Sequence, residues 1–380
     1  MKEANFKETE IGKIPVDWEV KTLGELGQVI IGLTYSPKDV TDYGTLVLRS
    51  SNIQNNVLAF ENNVFVNCEV PARVIVKEND ILICVRNGSK DLIGKCALID
   101  KKREGVAFGA FMSIFRSDYN LFLINAFRSN IIQKQIDENL GATINQITNK
   151  NLNSFQIPLP PLSEQEKIAE VLSDTDLWIE STEALLAKKR QIKKGAMQKL
   201  LSPKEVWEVR KLGEVLDYIQ PTKYLVKSTD YNNNNFTPVL TAGKTFVLGF
   251  TNEEDGIFDK LPTIIFDDFT TANKFVDFPF KAKSSAMKML VLKSINYSIR
   301  YIYEAMQLIE FPLGDHKRHW IGEYQNIEIP FPPLKTQQEI AEILSSMDLE
   351  IESLENRLQK ARQLKQGMMQ DLLTGKVRLG

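Results

Sequence analysis

The stretch IPLPPLSEQEKIAEVL at residues 157–172 returns, little altered, as IPFPPLKTQQEIAEIL at residues 329–344. Laid over each other without a gap, 157–201 and 329–373 agree at about 27 of about 45 positions. A shorter echo lies upstream of each copy, WEVKTLGEL at 18–26 and WEVRKLGEV at 207–215. The segments between, 27–156 and 216–328, differ in both length and sequence. Constant and variable blocks therefore alternate, and whatever the chain builds it builds twice. An N-terminal segment (1–17) precedes a first lobe (18–156), a central constant helix (157–206), a second lobe (207–328) and a C-terminal constant helix (329–380).

The constant blocks have helical signatures. Ser163 with Glu166, and Thr336 with Glu339, match the S/T-x-x-E capping box directly after the prolines. Apolar residues then alternate by threes and fours: Ile168, Leu172, Thr175, Ile179, Thr182 and Leu186 in the first copy. The second copy offers Ile340, Leu344, Met347, Ile351, Leu354 and Leu358. Such a narrow seam is the coiled-coil pattern. Acids crowd the first half of each helix and bases the second, so antiparallel pairing would set opposite charges together. The same gradient also complements each helix's own dipole. Gly195 and Gly367 each cost roughly 1 kcal/mol against alanine, which suggests a bend or a close backbone approach. The runs LLSP (200–203) and LLTG (372–375) are stop signals. A helix over 163–201 would be about 57 Å long, a spacer between lobes.

Both lobes read as short strands broken by Asn, Gly and Asp. The first has TLVLRSSNI, NVFVN, RVIVKENDILICVR, GKCALID and AFMSIFR, then a helix at 120–139. The second has FTPVLTAG, TFVLGFT, PTIIFDD and KMLVLK, then a helix near 294–309. The fold class is therefore α+β: two α/β lobes separated by a pair of long helices forming an antiparallel coiled coil, with a pseudo-two-fold internal repeat.

Charge and composition narrow the function. A hydrophobic share of 43% and a charged share of 25% are those of an ordinary globular chain. The net charge of −2 argues against nucleic-acid binding through bulk charge, so any such role needs local patches or charge from partners. Cys68, Cys84 and Cys96 form no C-x-x-C pair, which suits a reducing cytoplasm. The polar opening MKEANFKETEIGK is unlike a signal peptide, and no apolar run reaches membrane-helix length. Phosphate loops, dinucleotide turns and the Asn-Pro-Pro-aromatic tetrapeptide of an amino-methyltransferase are all missing from the sequence. His316 and His319 in HKRHW lack an evident third metal ligand, and Asp267–Asp268 fits turn residues better than a nuclease centre. The chain has the character of a binder. A self-contained methyltransferase or nuclease, and a coiled-coil scaffold that binds only protein, are the rival readings.

ETEIGKIPVDWEVKTLGEL at the start, the two proline junctions and MQDLLTGKVRL at the end together resemble the specificity subunit of type I restriction-modification systems. LVLRSSNIQNN, DILICVRNGSKDLIGKCALI and PVLTAGKTFVLGFTN inside the lobes share that resemblance, which spans essentially the whole chain. It implies a non-catalytic, cytoplasmic subunit whose lobes are target recognition domains, each reading one half of a bipartite double-stranded DNA target. The helices would set the gap and dock two modification subunits, N6-adenine methyltransferases that use S-adenosylmethionine. Restriction subunits would add translocation and cleavage driven by ATP with Mg. No cofactor is implied in this chain.

Arg and Lys neutralise phosphates or fork onto guanine, and Asn or Gln pairs with adenine, so polar loops are the places to look for DNA contacts. In the first lobe these are Arg86, Asn87, Ser89, Lys90, Lys95, Thr143, Asn145 and Gln146. In the second they are Lys281, Lys283, Ser284, His316, Lys317, Arg318 and His319. The glycine of GATINQ finds a counterpart in GDHKRH only after a one-residue shift, so one lobe's contacts cannot be copied to the other by alignment.

Overall fold

The computed structural model describes residues 5–140, 145–243, 245–312 and 318–379. It divides into two compact units, one of 1–182 with 357–380 and the other of 183–356. Each repeated helix is thus shared, half to each unit.

In the first unit a four-stranded antiparallel sheet has the order Cys96–Leu98, Ile81–Cys84, Met112–Arg116, Gln28–Ile31. Ile81–Cys84 is buried on both faces, which explains its unbroken apolar run. Side chains alternate across a strand, so Ile81 and Ile83 enter one core and Leu82 and Cys84 another. The first core holds the helix Asn120–Phe127, Trp18 and the start of the central helix; the second lies against a smaller sheet that includes Thr45–Leu48.

The second unit repeats the plan. Its sheet runs Leu216–Ile219, Met287–Leu292, Thr263–Asp267, Asn273–Val276. Ile264 and Phe266 face the core with the helix Ile299–Met306, while Ile265 faces a second core with Leu240 and Ala282.

The two sequence echoes turn out to be hydrogen-bonded partners. Glu19–Thr22 pairs with Gln156–Leu159, and Glu208–Lys211 with Glu328–Phe331, in the same register: Val20 faces Pro158 and Val209 faces Pro330. Each ribbon has only two strands, so a proline without an N–H is tolerated. The constant sequence thus closes the base of each lobe and leads at once into a helix.

The capping boxes expected at Ser163 and Thr336 do not form, because the helices begin earlier, at Leu162 and Leu334. The start is fixed instead by two glutamines at equivalent positions. Gln165 Nε2 donates to the Pro160 carbonyl at 2.8 Å, and Gln337 Nε2 to the Pro332 carbonyl at 2.8 Å. The central helix spans Leu162–Leu200 and the C-terminal one Leu334–Leu372. Gly195 and Gly367 lie within them, and a Cβ at either would meet nothing within 4 Å, so no close backbone approach requires them. The helix expected over 120–139 is two, Asn120–Phe127 and Asn130–Asn139, because the Ser129 hydroxyl accepts the Ile131 N–H and caps a new start. The one expected near 294–309 is confined to Ile299–Met306 and is capped by Ser298.

Pairing of the long helices is antiparallel within each unit. In the second unit Arg190 meets Glu355 at 2.6 Å while Lys193, one turn on, meets Asp348 at 2.5 Å. In the first, Lys365 pairs with Asp176. Every residue expected in the seam is buried or half-buried.

The C-terminal residues fold back onto the first unit. Arg378 binds the buried Glu164 at 2.7 Å and Asp17 at 2.7 Å, with its guanidinium 5.7 Å from the Trp18 ring. Trp18 Nε1 donates to the same Glu164. Gly375, at φ +69°, packs so closely that a Cβ there would lie 2.4 Å from Pro15 Cγ.

Candidate nucleic-acid interface

In each lobe the central strand of the main sheet runs out into a loop that two other segments flank. In the first lobe the Val85 N–H donates to the Phe111 carbonyl at 3.1 Å, and the Ile147 N–H donates to the Val85 carbonyl at 2.8 Å. This ladder joins loops that are far apart in sequence and brings together Arg86, Asn87, Asn145 and Gln146. Arg86 and Gln146 form a backbone bridge, and the Asn87 N–H donates to the Asn145 carbonyl at 3.2 Å.

Several of these side chains shape the loops. Asn145 Nδ2 donates to the Gly88 carbonyl at 3.0 Å. Asn87 donates to the Ser50 hydroxyl at 3.1 Å and accepts the Ser89 N–H at 3.0 Å. The Arg86 guanidinium lies 5.1 Å from the ring of Phe111, which is 57% exposed. Ser89 and the exposed Lys90 sit on the adjoining turn, and half-buried Lys95 accepts the Cys84 N–H through its carbonyl. Thr143 lies outside the described residues. Ser50 and Phe111 escaped sequence reasoning, since nothing local distinguishes Phe111 from the buried Phe108 and Phe115. Burial raises the Cys84 thiol pKa, so the cysteine nearest the cluster is a poor nucleophile.

The second lobe has the same ladder with different side chains. Here the Asp268 N–H donates to the Ala286 carbonyl at 3.1 Å, and the His319 N–H to the Asp268 carbonyl at 2.9 Å. Asp267 is a turn residue, its carboxylate accepting the Phe269 and Thr270 N–H groups. Asp268 is not: it is buried, 3.1 Å from the buried Lys288 ammonium, and its Oδ1 accepts the Trp320 N–H at 3.0 Å. That carboxylate ties the 318–322 segment to the sheet.

Two residues expected as surface contacts lie in the interior. Lys281 is 1% exposed, with its ammonium on Glu253 at 2.8 Å and on the Asp255 carbonyl. His319 is 4% exposed and packs edge-on against Phe311. Both are consumed by packing and are corrected to structural roles. Lys283 is exposed with its ammonium 5.7 Å from the Tyr231 ring, Ser284 Oγ accepts the Ala286 N–H, and Arg318 is exposed. His316 and Lys317 lie outside the described residues. The first cluster presents amides, cations and an exposed aromatic ring, and the second presents cations and a hydroxyl, groups suited to gripping a polyanion. Among the described residues no group of three or more His, Cys, Asp or Glu could hold a metal ion, and no helix is long and apolar enough to cross a membrane.

Known proteins share this architecture. The family description "Type I restriction modification DNA specificity domain" matches residues 15–190 and 204–363. The EcoR124I/EcoR124II specificity subunit of Escherichia coli is 52% identical over 160 residues, a match that covers 39% of either chain. The putative MjaX specificity subunit of Methanocaldococcus jannaschii is 29% identical over 100% of this chain and 98% of its own. The crystal structure of the S subunit of a type I restriction-modification system from M. genitalium superposes with a TM-score of 0.67 at 17% identity, covering 98% of this chain and 97% of that one, which shows a common fold. With both lobes and both helices matched, the chain belongs to the type I restriction-modification DNA specificity family.

Proposed function

We propose that this chain is the DNA-reading subunit of a type I complex and that each lobe reads one half of a bipartite target. The observation that carries this reading is the repeated ladder at Val85 and Asp268: one backbone frame presents two different sets of side chains. Two unlike readers on a repeated frame suit an asymmetric target, while the repeated helices offer two alike surfaces to two modification subunits. The exposed faces of 163–201 and 335–373 form those docking surfaces. S-adenosylmethionine belongs to the modification subunits, and ATP with Mg to the restriction subunits. This subunit supplies specificity and no catalysis, and works in the cytoplasm. Its balanced charge fits a role in which the assembly shares the phosphate contacts.

The test is a lobe exchange. The chain is assembled with its modification subunits, and residues 18–156 are replaced by the corresponding lobe of a relative. Mapping of methylated adenines is expected to show one half-site altered and the other retained. Unchanged methylation, or an assembled complex without salt-sensitive, sequence-dependent DNA binding, would overturn the reading in favour of a protein-binding scaffold.

A further inference from the structure

The ladder settles an equivalence that alignment leaves ambiguous. Counting from the glycines of GATINQ and GDHKRH sets Gln146 beside His319. The hydrogen bonds set Ile147 beside His319, since each donates its N–H to the carbonyl of the residue that leaves the central strand, Val85 or Asp268. Both are buried, as that place requires. The residue before each, Gln146 in the first lobe and Arg318 in the second, is therefore the true counterpart, and both side chains reach solvent.

Several of their neighbours have side chains engaged elsewhere. Asn87 and Asn145 spend their amides on the loop frame, Arg86 lies over Phe111, and Lys283 lies near Tyr231. Among the described residues neither the Gln146 amide nor the Arg318 guanidinium has a hydrogen-bond or ion-pair partner. A glutamine amide offers one donor and one acceptor side by side, the complement of adenine N6 and N7. The guanidinium fork is the complement of guanine O6 and N7.

We infer that residues 146 and 318 are the same specificity-determining position in the two lobes, with Gln146 directed to an adenine and Arg318 to a guanine in their respective half-sites. This rests on the reading of the lobes as DNA readers and refines it to one residue each. The surrounding asparagines act as the frame that aims them.

The experiment uses the full chain assembled with its modification subunits and a pool of duplexes randomised one position at a time. Gln146→Ala is expected to lose roughly ten- to a hundred-fold discrimination at one position of one half-site, with the other half-site untouched. Gln146→Arg is expected to move the preference at that position from adenine to guanine, and Arg318→Gln to make the opposite change in the other half-site. Retained selectivity at the second half-site shows that the variant is folded and assembled. Uniform weakening across all sequences would mark a phosphate contact and overturn the inference, as would unchanged discrimination. If the lobe exchange alters a half-site while these variants do not, the inference fails and the proposed function stands. If neither alters the target, both fail.

Discussion

Lys193 donates to Asp348 at 2.5 Å, and in the other compact unit their repeat counterparts meet with the helices exchanged, Lys365 donating to Asp176. One ion pair can occur twice in this way only between antiparallel copies, since parallel pairing would set Lys193 beside Lys365. The two pairs have unequal surroundings. Each site keeps an arginine when its lysine is removed, Arg300 at 2.8 Å from Glu304 and Arg128 at 3.3 Å from Asp176, but Lys193 also lies 3.4 Å from Glu304, which is fully buried, whereas Asp176 is part-exposed. Lys193→Met is therefore expected to cost about 2 kcal/mol, because the buried Glu304 is left with Arg300 as its one cation. Lys365→Met is expected to cost about 1 kcal/mol or less. Urea unfolding midpoints of the two variants provide the comparison, and equal shifts would contradict the assignment.

Glu304 should also leave a mark on pH dependence. Burial pushes its carboxyl above the ordinary glutamate range despite Lys193 and Arg300 nearby. A raised folded value means that the folded state holds the proton more tightly than the unfolded chain. Its contribution is then fully present below the ordinary value of 4.5 and is lost as pH rises through the folded one. Glu304→Gln removes this titration. The variant's unfolding midpoint is expected to gain on the native chain as pH is raised from about 4 to about 8. A constant difference across that range would count against it.

The helix seam was legible because its period is written into local sequence, and every seam position between Ile168 and Leu186 and between Ile340 and Leu358 proved buried or half-buried. The helix starts were misread for a reason the repeat itself contained. Ser163 and Thr336 are not equivalent positions, whereas Gln165 and Gln337 are, and those two make the bond that matters. In the site, Arg86 with Asn87 and Asn145 with Gln146 were identifiable as polar loops, yet their meeting depends on a ladder between distant segments. Burial of Lys281 and His319 was hidden as well, since both sit in runs of basic or polar residues and owe their environment to Glu253 and Phe311.

Arg378 lies three-quarters hidden over Trp18 and joins Asp17 and Glu164. Arg378→Met keeps much of the aliphatic stem but leaves the buried Glu164 with no cation, only the Trp18 and Leu379 N–H groups. It is expected to destabilise the first unit by about 2–3 kcal/mol. The hydrogen bond from Arg378 also holds the Asp17 carboxyl below its ordinary value, a contribution present above that value and lost as pH falls through the folded one. The native chain is thus expected to lose more stability than the variant on acidification below about pH 4. Denaturant titrations at neutral and acid pH test this; parallel losses would show that Asp17 is not coupled to Arg378.

Asp268 and Lys288 offer the sharpest contrast between the lobes. Their ladder counterparts are Val85 and Ser113, so the same backbone frame closes in the first lobe without a buried ion pair. Removing one charge is costly: Asp268→Val strands the Lys288 ammonium in the interior, and a loss of about 3–5 kcal/mol is expected. Removing both is not. Asp268→Val with Lys288→Met deletes the pair and its desolvation penalty while the methionine refills the space of the lysine stem beside Tyr218. The double variant is expected to recover most of the stability lost by the single one. Recognition should behave otherwise, because the Asp268 carboxylate that anchors the Trp320 N–H is gone and Arg318 is no longer aimed. A double variant that regains its unfolding midpoint yet loses selectivity in the second half-site alone would separate the two tasks of this carboxylate. Full selectivity in that variant would show that the ladder carbonyl by itself holds the loop.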